Sequence, residues 1–261
     1  MKFSTKPKRL HDDSEETLQR ILNKDSDFTV VEKYKAMRTN IMFSLTKKEH
    51  GRAIVVTSST PGEGKTTTTI NLAITFAQTG ARVLLIDCDL RKSRIHRYLK
   101  IDKKDGVSNV LCGFITLDKA IKKNVRDNLD CITAGEIPPN PAELLESDEF
   151  GKMIEQLKER YDYIFVDTPP VTVVTDAAVA LKHCSAAIVV VRKDVTTFDL
   201  LDETMENLQN TGKKIIGAVM LGGEDATKKY SYYKKGGKYG YKYGYKYDYR
   251  YEYKYQDDEE K

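Results

Sequence analysis

One short stretch limits the fold more than any other. Residues 58–67 read Ser-Ser-Thr-Pro-Gly-Glu-Gly-Lys-Thr-Thr, after an apolar, β-branched run at 53–57 and before a helical pattern at 65–78. Strand, glycine-rich loop and helix in that order make a phosphate-binding loop. Gly62 and Gly64 let backbone N–H groups turn toward phosphate oxygens. The helix beginning near Lys65 adds the positive end of its dipole. Lys65 brings a mobile cation for β- and γ-phosphates, and Thr66 a hydroxyl ligand for Mg²⁺. Pro61, Gly62, Glu63, Gly64, Lys65, Thr66 and Thr67 are therefore the expected nucleotide-binding set. The first position of the usual Gly-x-x-x-x-Gly-Lys-Ser/Thr pattern is Ser59 rather than glycine.

Further apolar, β-branched runs lie at 83–86, 163–166, 187–191 and 215–221, with a shorter candidate at 129–132. Each is apolar on both faces, as expected of strands buried between two helical layers. Helical patterns at 65–78, 141–161, 177–184 and 197–210 alternate with them, and Gly80 and Gly212 stand where helix C-caps fall. The expected fold class is α/β: a doubly wound, mostly parallel sheet of the P-loop NTPase type with helices on both faces. Ligands bind at the carboxyl ends of the strands in such a sheet.

Upstream, residues 1–28 read as a polar leader, with Asp13 or Ser14 capping a short helix through Leu18, Ile21 and Leu22. A second helix fits the spacing of Val31, Tyr34, Met37, Ile41, Met42 and Leu45. The expected division is leader 1–28, P-loop domain 29–222 and tail 223–261.

Two acidic motifs end predicted strands. The run at 83–86 leads into Asp87-Cys88-Asp89-Leu90-Arg91, and the run at 163–166 into Asp167-Thr168-Pro169-Pro170. Residues two apart in an extended chain point the same way, so Asp87 and Asp89 face one side. An apolar strand ending in Asp is the arrangement that holds Mg²⁺ and its waters near a P-loop. A carboxylate there can also take a proton from a hydroxyl acceptor or from water, so these residues specify nucleotide triphosphate chemistry but not the acceptor.

An acceptor is suggested by the tail. It carries Tyr230, Tyr232, Tyr233, Tyr239, Tyr241, Tyr243, Tyr245, Tyr247, Tyr249, Tyr251, Tyr253 and Tyr255, interleaved with Lys, Gly, Ser and a few other charges. With no aliphatic residue to build a core, this segment is expected to stay flexible. Alternation of Tyr with another residue also suits an edge strand, and Tyr interleaved with Lys suits stacking on single-stranded nucleic acid. The charges at the alternate positions oppose the first, and Asp248, Glu252 and the acidic 257–260 oppose the second.

A net charge of +4 over 261 residues does not imply a nucleic-acid partner. No run approaches the roughly 20 apolar residues needed to span a bilayer, and the N-terminus has no apolar core of a signal peptide. A cytoplasmic protein with reduced, mostly buried Cys88, Cys112, Cys131 and Cys184 is expected; neither these nor His11, His50, His96 and His183 show metal-ligand spacing. Arg192, after the run at 187–191, is a candidate for contact with adenine.

The loop SSTPGEGKTT, the sequences LLIDCDLR and IFVDTPP and the C-terminal tyrosine cluster together resemble the bacterial tyrosine kinases. The likeness is to the separate cytoplasmic kinase subunit of capsule and exopolysaccharide machinery, and it runs from about Val31 to Tyr255. Partitioning and cell-division ATPases share single motifs, but their loop has an additional Lys where this chain has Thr60. The resemblance implies ATP and Mg²⁺ as cofactors, Lys65 and Thr66 at the phosphates and metal, Asp87 as acceptor of the tyrosine proton, and Asp89 and Asp167 around Mg²⁺. It makes the tail tyrosines the phosphoacceptors. It implies a ring-shaped homo-oligomer through Glu32, Lys35 and Arg38, where the family has Glu-x-x-Arg-x-x-Arg and this chain has Lys at the centre. It implies a transmembrane adaptor related to polysaccharide chain-length regulators, peripheral attachment to the membrane through it, and a phosphotyrosine phosphatase as counterpart. The residues alone leave two other classes open: an ATPase switch of the partitioning type, and a non-catalytic module whose tail binds nucleic acid or an acidic polymer.

Overall fold

The computed structural model describes residues 19–45 and 51–223, so the leader through residue 18 and the tyrosine cluster lie outside the described residues. Seven strands form one sheet in the order β3-β4-β2-β5-β1-β6-β7. They are β1 (Arg52–Ser58), β2 (Val83–Asp87), β3 (Lys122–Arg126), β4 (Leu129–Ile132), β5 (Tyr163–Asp167), β6 (Ala186–Arg192) and β7 (Lys214–Leu221). All neighbours are parallel except β3 and β4, an antiparallel pair.

Alternate residues of each central strand enter different cores. Val55, Leu84, Ile86, Ile164, Val166 and Val189 pack on one face with α7 (Asp148–Arg160), α8 (Asp176–Lys182) and α9 (Phe198–Gln209). Ile54, Val56, Leu85, Phe165, Ile188 and Val190 pack on the other with α1 (Phe28–Ser44) and α2 (Lys65–Ala77). The doubly wound α/β expectation holds, and the reason is visible: strands apolar all round need a helical layer on each side. Gly80 and Gly212 take left-handed backbone, φ 85° and 70°, just beyond α2 and α9. All four cysteines are free, and only Cys112 is exposed.

Three expectations need correction, and four short elements were not anticipated. The pattern at 141–161 is two helices, α6 (Pro141–Glu146) and α7, because extended Ser147 uses its hydroxyl to accept the Phe150 N–H at 3.3 Å. A serine that can cap competes with continuing the helix. Ile21 and Leu22 are buried but not helical. Their backbone is held by buried Asn71, which accepts the Leu22 N–H at 2.9 Å and donates to the Arg20 carbonyl at 2.9 Å. The run at 215–221 is not sandwiched: β7 is the edge strand, half exposed along its length, with Met220 66% accessible. Its pairing with β6 slips by one residue at Ile216. Finally, polar β3 and the short helices α3 (Ile95–Leu99), α4 (Val107–Leu111) and α5 (Leu117–Ala120) were not anticipated. None is long enough or regular enough to show a period.

Candidate active site

The P-loop joins β1 to α2, and both glycines use the freedom that only glycine has: Gly62 has φ 87° and Gly64 φ 93°. Gly64 also leaves room for a neighbour, since a Cβ there would sit 2.6 Å from a methyl of Leu221. Ser59, in the place of the usual first glycine, is fully buried and not left-handed. Its hydroxyl accepts from Thr204 of α9 at 2.8 Å, so the loop is tied to the helical layer where other sequences have no side chain.

Lys65 opens α2, and its ammonium stands 3.1 Å from Asp89 Oδ2, 3.7 Å from Asp167 Oδ2 and 3.4 Å from the Thr66 hydroxyl. The register of β2 on β5 sets Asp87 opposite Asp167. Asp167 accepts from Thr66 at 2.8 Å and from Thr69 at 3.1 Å. Asp87, fully buried, accepts the backbone N–H of Asp89 on one oxygen and those of Arg94 and Ile95 on the other, each at 3.2 Å. Sequence reading placed the three carboxylates and the lysine at one edge, and the structure brings them together.

The electrostatics follow from burial. Desolvation, reinforced by Asp167 and Asp89, pushes the Asp87 carboxyl up to about 8. Burial also raises Asp167, with Lys65 and Thr66 pulling the other way. Burial opposes the charge on Lys65, but Asp167 and Asp89 outweigh it and hold the ammonium above its ordinary value.

Glu63 is the expected loop residue whose side chain does something else. Its carboxylate turns inward, accepting the Thr60 N–H at 2.9 Å and the Thr196 hydroxyl, so it braces the loop and leaves its backbone for phosphate. Pro61 is exposed at the mouth and Thr67 is partly buried one residue past Thr66. Arg192 donates to the Gly62 carbonyl at 3.2 Å, which puts it on the rim of the P-loop. Arg91, whose role the motif alone did not indicate, forms a two-pronged pair with Asp176, both contacts at 3.0 Å, and Asp176 is fully buried. That pair fastens the loop after β2 to the first residue of α8. Thr69, Asp176 and Thr196 were not singled out from sequence. Thr69 was the most accessible of these, because it shares a helix face with Thr66 three residues earlier.

Glu32, Lys35 and Arg38 lie on α1. Lys35 and Glu32 pair at 2.7 Å, and Arg38 donates to the Thr75 carbonyl of α2 at 2.8 Å, within the chain. The candidate acceptor tyrosines lie outside the described residues.

The donor set fits Mg²⁺ of the P-loop kind: a hydroxyl and carboxylates, all oxygen, on a wall that leaves the remaining positions to water and phosphate. Among the described residues no group of three or more His, Cys, Asp or Glu forms a metal cage of protein side chains alone.

A doubly wound sheet with this loop and these strand-end aspartates defines a P-loop nucleotide-binding protein. Residues 51–217 match the AAA domain family. The chain is 36% identical over 209 residues to the tyrosine-protein kinase YwqD of Bacillus subtilis (strain 168), covering 80% of this chain and 86% of that protein. It is 35% identical over 190 residues to the tyrosine-protein kinase wzc of Salmonella typhimurium, covering 73% of this chain but 26% of that longer protein. The kinase domain of the Escherichia coli tyrosine kinase ETK superposes with a TM-score of 0.72 at 33% identity, over 83% of this chain and 80% of that one. The chain belongs to the bacterial tyrosine-protein kinases.

Proposed function

We propose that this kinase uses ATP and Mg²⁺ to phosphorylate the tyrosine cluster at its own C-terminus, between subunits, and thereby regulates capsular or extracellular polysaccharide biosynthesis. The observation that carries the reading is Asp87. It is a buried carboxyl at the end of β2, set opposite Asp167 by the sheet register and held by three backbone N–H groups, in a chain that carries its own rack of phenols. The amides around Gly62 and Gly64 and the ammonium of Lys65 bind the phosphates. Thr66, Asp89 and Asp167 would hold Mg²⁺, which neutralises charge on the β- and γ-phosphates. Asp87 takes the phenolic proton as the tyrosine oxygen bonds to the γ-phosphorus and ADP departs. Thr69 keeps Asp167 turned toward Thr66, and Arg91 with Asp176 holds the loop that carries Asp89.

In the same reading, residues 223–261 form a separate tail, and Glu32, Lys35 and Arg38 contribute to a ring of subunits. Each added phosphate carries about −1.5 to −2 charges, so a phosphorylated, acidic tail loosens that ring. No described helix is long and apolar enough to cross a membrane. Attachment of a cytoplasmic kinase through a transmembrane adaptor of the chain-length-regulator type, and reversal by a phosphotyrosine phosphatase, complete the scheme.

The test is intact mass after incubation with ATP·Mg²⁺, beside Lys65→Met and a chain ending at Gly223. Stepwise phosphate addition mapped to positions 230–255, absent from both variants, is the expected result. Release of free phosphate with no mass change would replace it with an ATPase switch.

A further inference from the structure

The segment that follows the acidic motif at 87–89 is strongly basic. Arg91, Lys92, Arg94, Arg97 and Lys100 fall between Leu90 and Ile101 with no acidic residue among them. Its start is anchored in the site: the Lys92 N–H donates to Asp89 at 2.9 Å, and the Arg94 and Ile95 N–H groups to Asp87 at 3.2 Å. Arg91 is engaged with Asp176. Beyond it, α3 buries Ile95 and leaves Arg97 exposed, and Lys100 ends that helix exposed in left-handed backbone, φ 54°. Arg97 and Lys100 are thus exposed two and five residues past Ile95, whose N–H reaches Asp87.

The tail is charged unevenly. From residue 226 to 247 it has lysines and no acid, whereas its last part sets six acids, Asp248, Glu252, Asp257, Asp258, Glu259 and Glu260, against Arg250, Lys254 and Lys261. We propose that the basic segment at 92–100 makes this site select tyrosines flanked by acidic residues. The inference rests on the kinase reading and adds a substrate class to it. Opposite charge raises the local concentration of an acidic segment and lowers its KM. Within the chain's own cluster, Tyr247, Tyr249, Tyr251, Tyr253 and Tyr255 are phosphorylated before the tyrosines at 230–245. Each phosphate adds negative charge, so modification then spreads toward Tyr230.

The experiment uses the full chain, ATP·Mg²⁺ and two synthetic peptides: the sequence of residues 245–261, and the same sequence with every Asp and Glu changed to Asn and Gln. The expected kcat/KM ratio, acidic over acid-free, is about tenfold at low salt, shrinking as the screening length falls. In Arg97→Glu/Lys100→Glu the ratio drops to about one, carried by KM for the acidic peptide, and Arg97→Gln/Lys100→Gln falls between. Turnover of the acid-free peptide shows that each variant is folded. Equal use of both peptides by the unmodified chain, or a ratio unchanged in both variants, overturns the proposal. So does a raised KM for ATP with the ratio intact, which would assign the segment to the nucleotide. Mapping the order of tail phosphates is an independent arm: first appearance at 230–245 sinks the selectivity and leaves the kinase standing. Absence of phosphotyrosine from peptides and tail alike defeats the kinase reading itself.

Discussion

Two carboxylate–lysine clusters lie at opposite ends of the parallel sheet, and they are built on different terms. At the carboxyl ends of β2 and β5, Asp89 and Asp167 share the ammonium of Lys65 with Asp87 close by, and burial with mutual repulsion drives the Asp87 carboxyl up to about 8. Near the amino end of β4, Asp130 accepts from the Tyr161 hydroxyl at 2.6 Å, the Asn124 N–H at 2.8 Å and the Lys123 ammonium at 2.9 Å. Burial opposes that charge too, but Tyr161, the Asn124 N–H and Lys123 outweigh it and hold Asp130 below the ordinary carboxyl range. One carboxylate is satisfied by its own chain. The other three have neutral donors as well but a single cation among them, which leaves them suited to metal and phosphate. Charge at a sheet end is therefore no sign of function by itself; the ratio of carboxylates to cations separates the two clusters.

Removing the central group of each cluster breaks the comparison most directly. Asp87→Asn should lower tyrosine phosphorylation by about 10²- to 10⁴-fold, the range for loss of a positioned base. Intact mass with ATP·Mg²⁺ reads it, and activity within a few-fold of the unmodified chain would remove Asp87 from the mechanism. The same variant tests the electrostatics. A carboxyl whose folded pKa lies above its ordinary 3.8 weighs against the folded state increasingly as pH rises from about 4 to 8. The stability of Asp87→Asn relative to the unmodified chain should therefore improve over that window, in denaturant melts without nucleotide.

Lys65→Met should cost about a hundredfold or more in phosphate incorporation, since a preorganised donor to the transferring group is lost. A smaller effect is expected at the clamp between the two acidic loops. Arg91→Ala leaves a fully buried Asp176 carboxylate without its partner. Because Arg91 is itself 41% accessible, the loss is about 1–3 kcal/mol rather than the cost of a fully buried pair. Arg91→Lys should recover only part, having charge without the fork. Equal melts for all three proteins would mean the clamp holds nothing.

The smallest change belongs to the satisfied cluster. Asp130→Asn should destabilise by about 1 kcal/mol, given a partly exposed lysine partner, and leave phosphorylation unchanged. A carboxyl held below 3.8 in the folded state contributes above that pH and loses its contribution as pH falls below it. The gap between Asp130→Asn and the unmodified chain should close below about pH 4. A loss of activity at neutral pH would erase the distinction between the two ends of the sheet.

Much of the catalytic end was readable before any coordinates. A P-loop is a local device, built from two glycines, a helix start and a lysine, so its position follows from ten consecutive residues. The strand ends at Asp87 and Asp167 were equally plain, because apolar runs stop abruptly at charge. Thr69 and Asp176 were hidden for opposite reasons. Thr69 sits in a run of four threonines, and only the position of Asp167 shows which of them matters. Asp176 looks like an ordinary helix-start acid until Arg91 arrives from a segment 85 residues away.

By itself the chain determined its alternation of strands and helices, the phosphate loop and the chemical types at the strand ends, because these depend on neighbours a few residues apart. Tertiary structure decided the rest. It settled that β7 is an edge and not a sandwiched strand, that Ser147 stops one helix and begins another, and that the Glu63 side chain turns inward to brace its loop. It also decided which carboxylates gather around Lys65 and which has a lysine of its own. Burial and charge pairing depend on which elements pack together, and no local pattern in the chain records that.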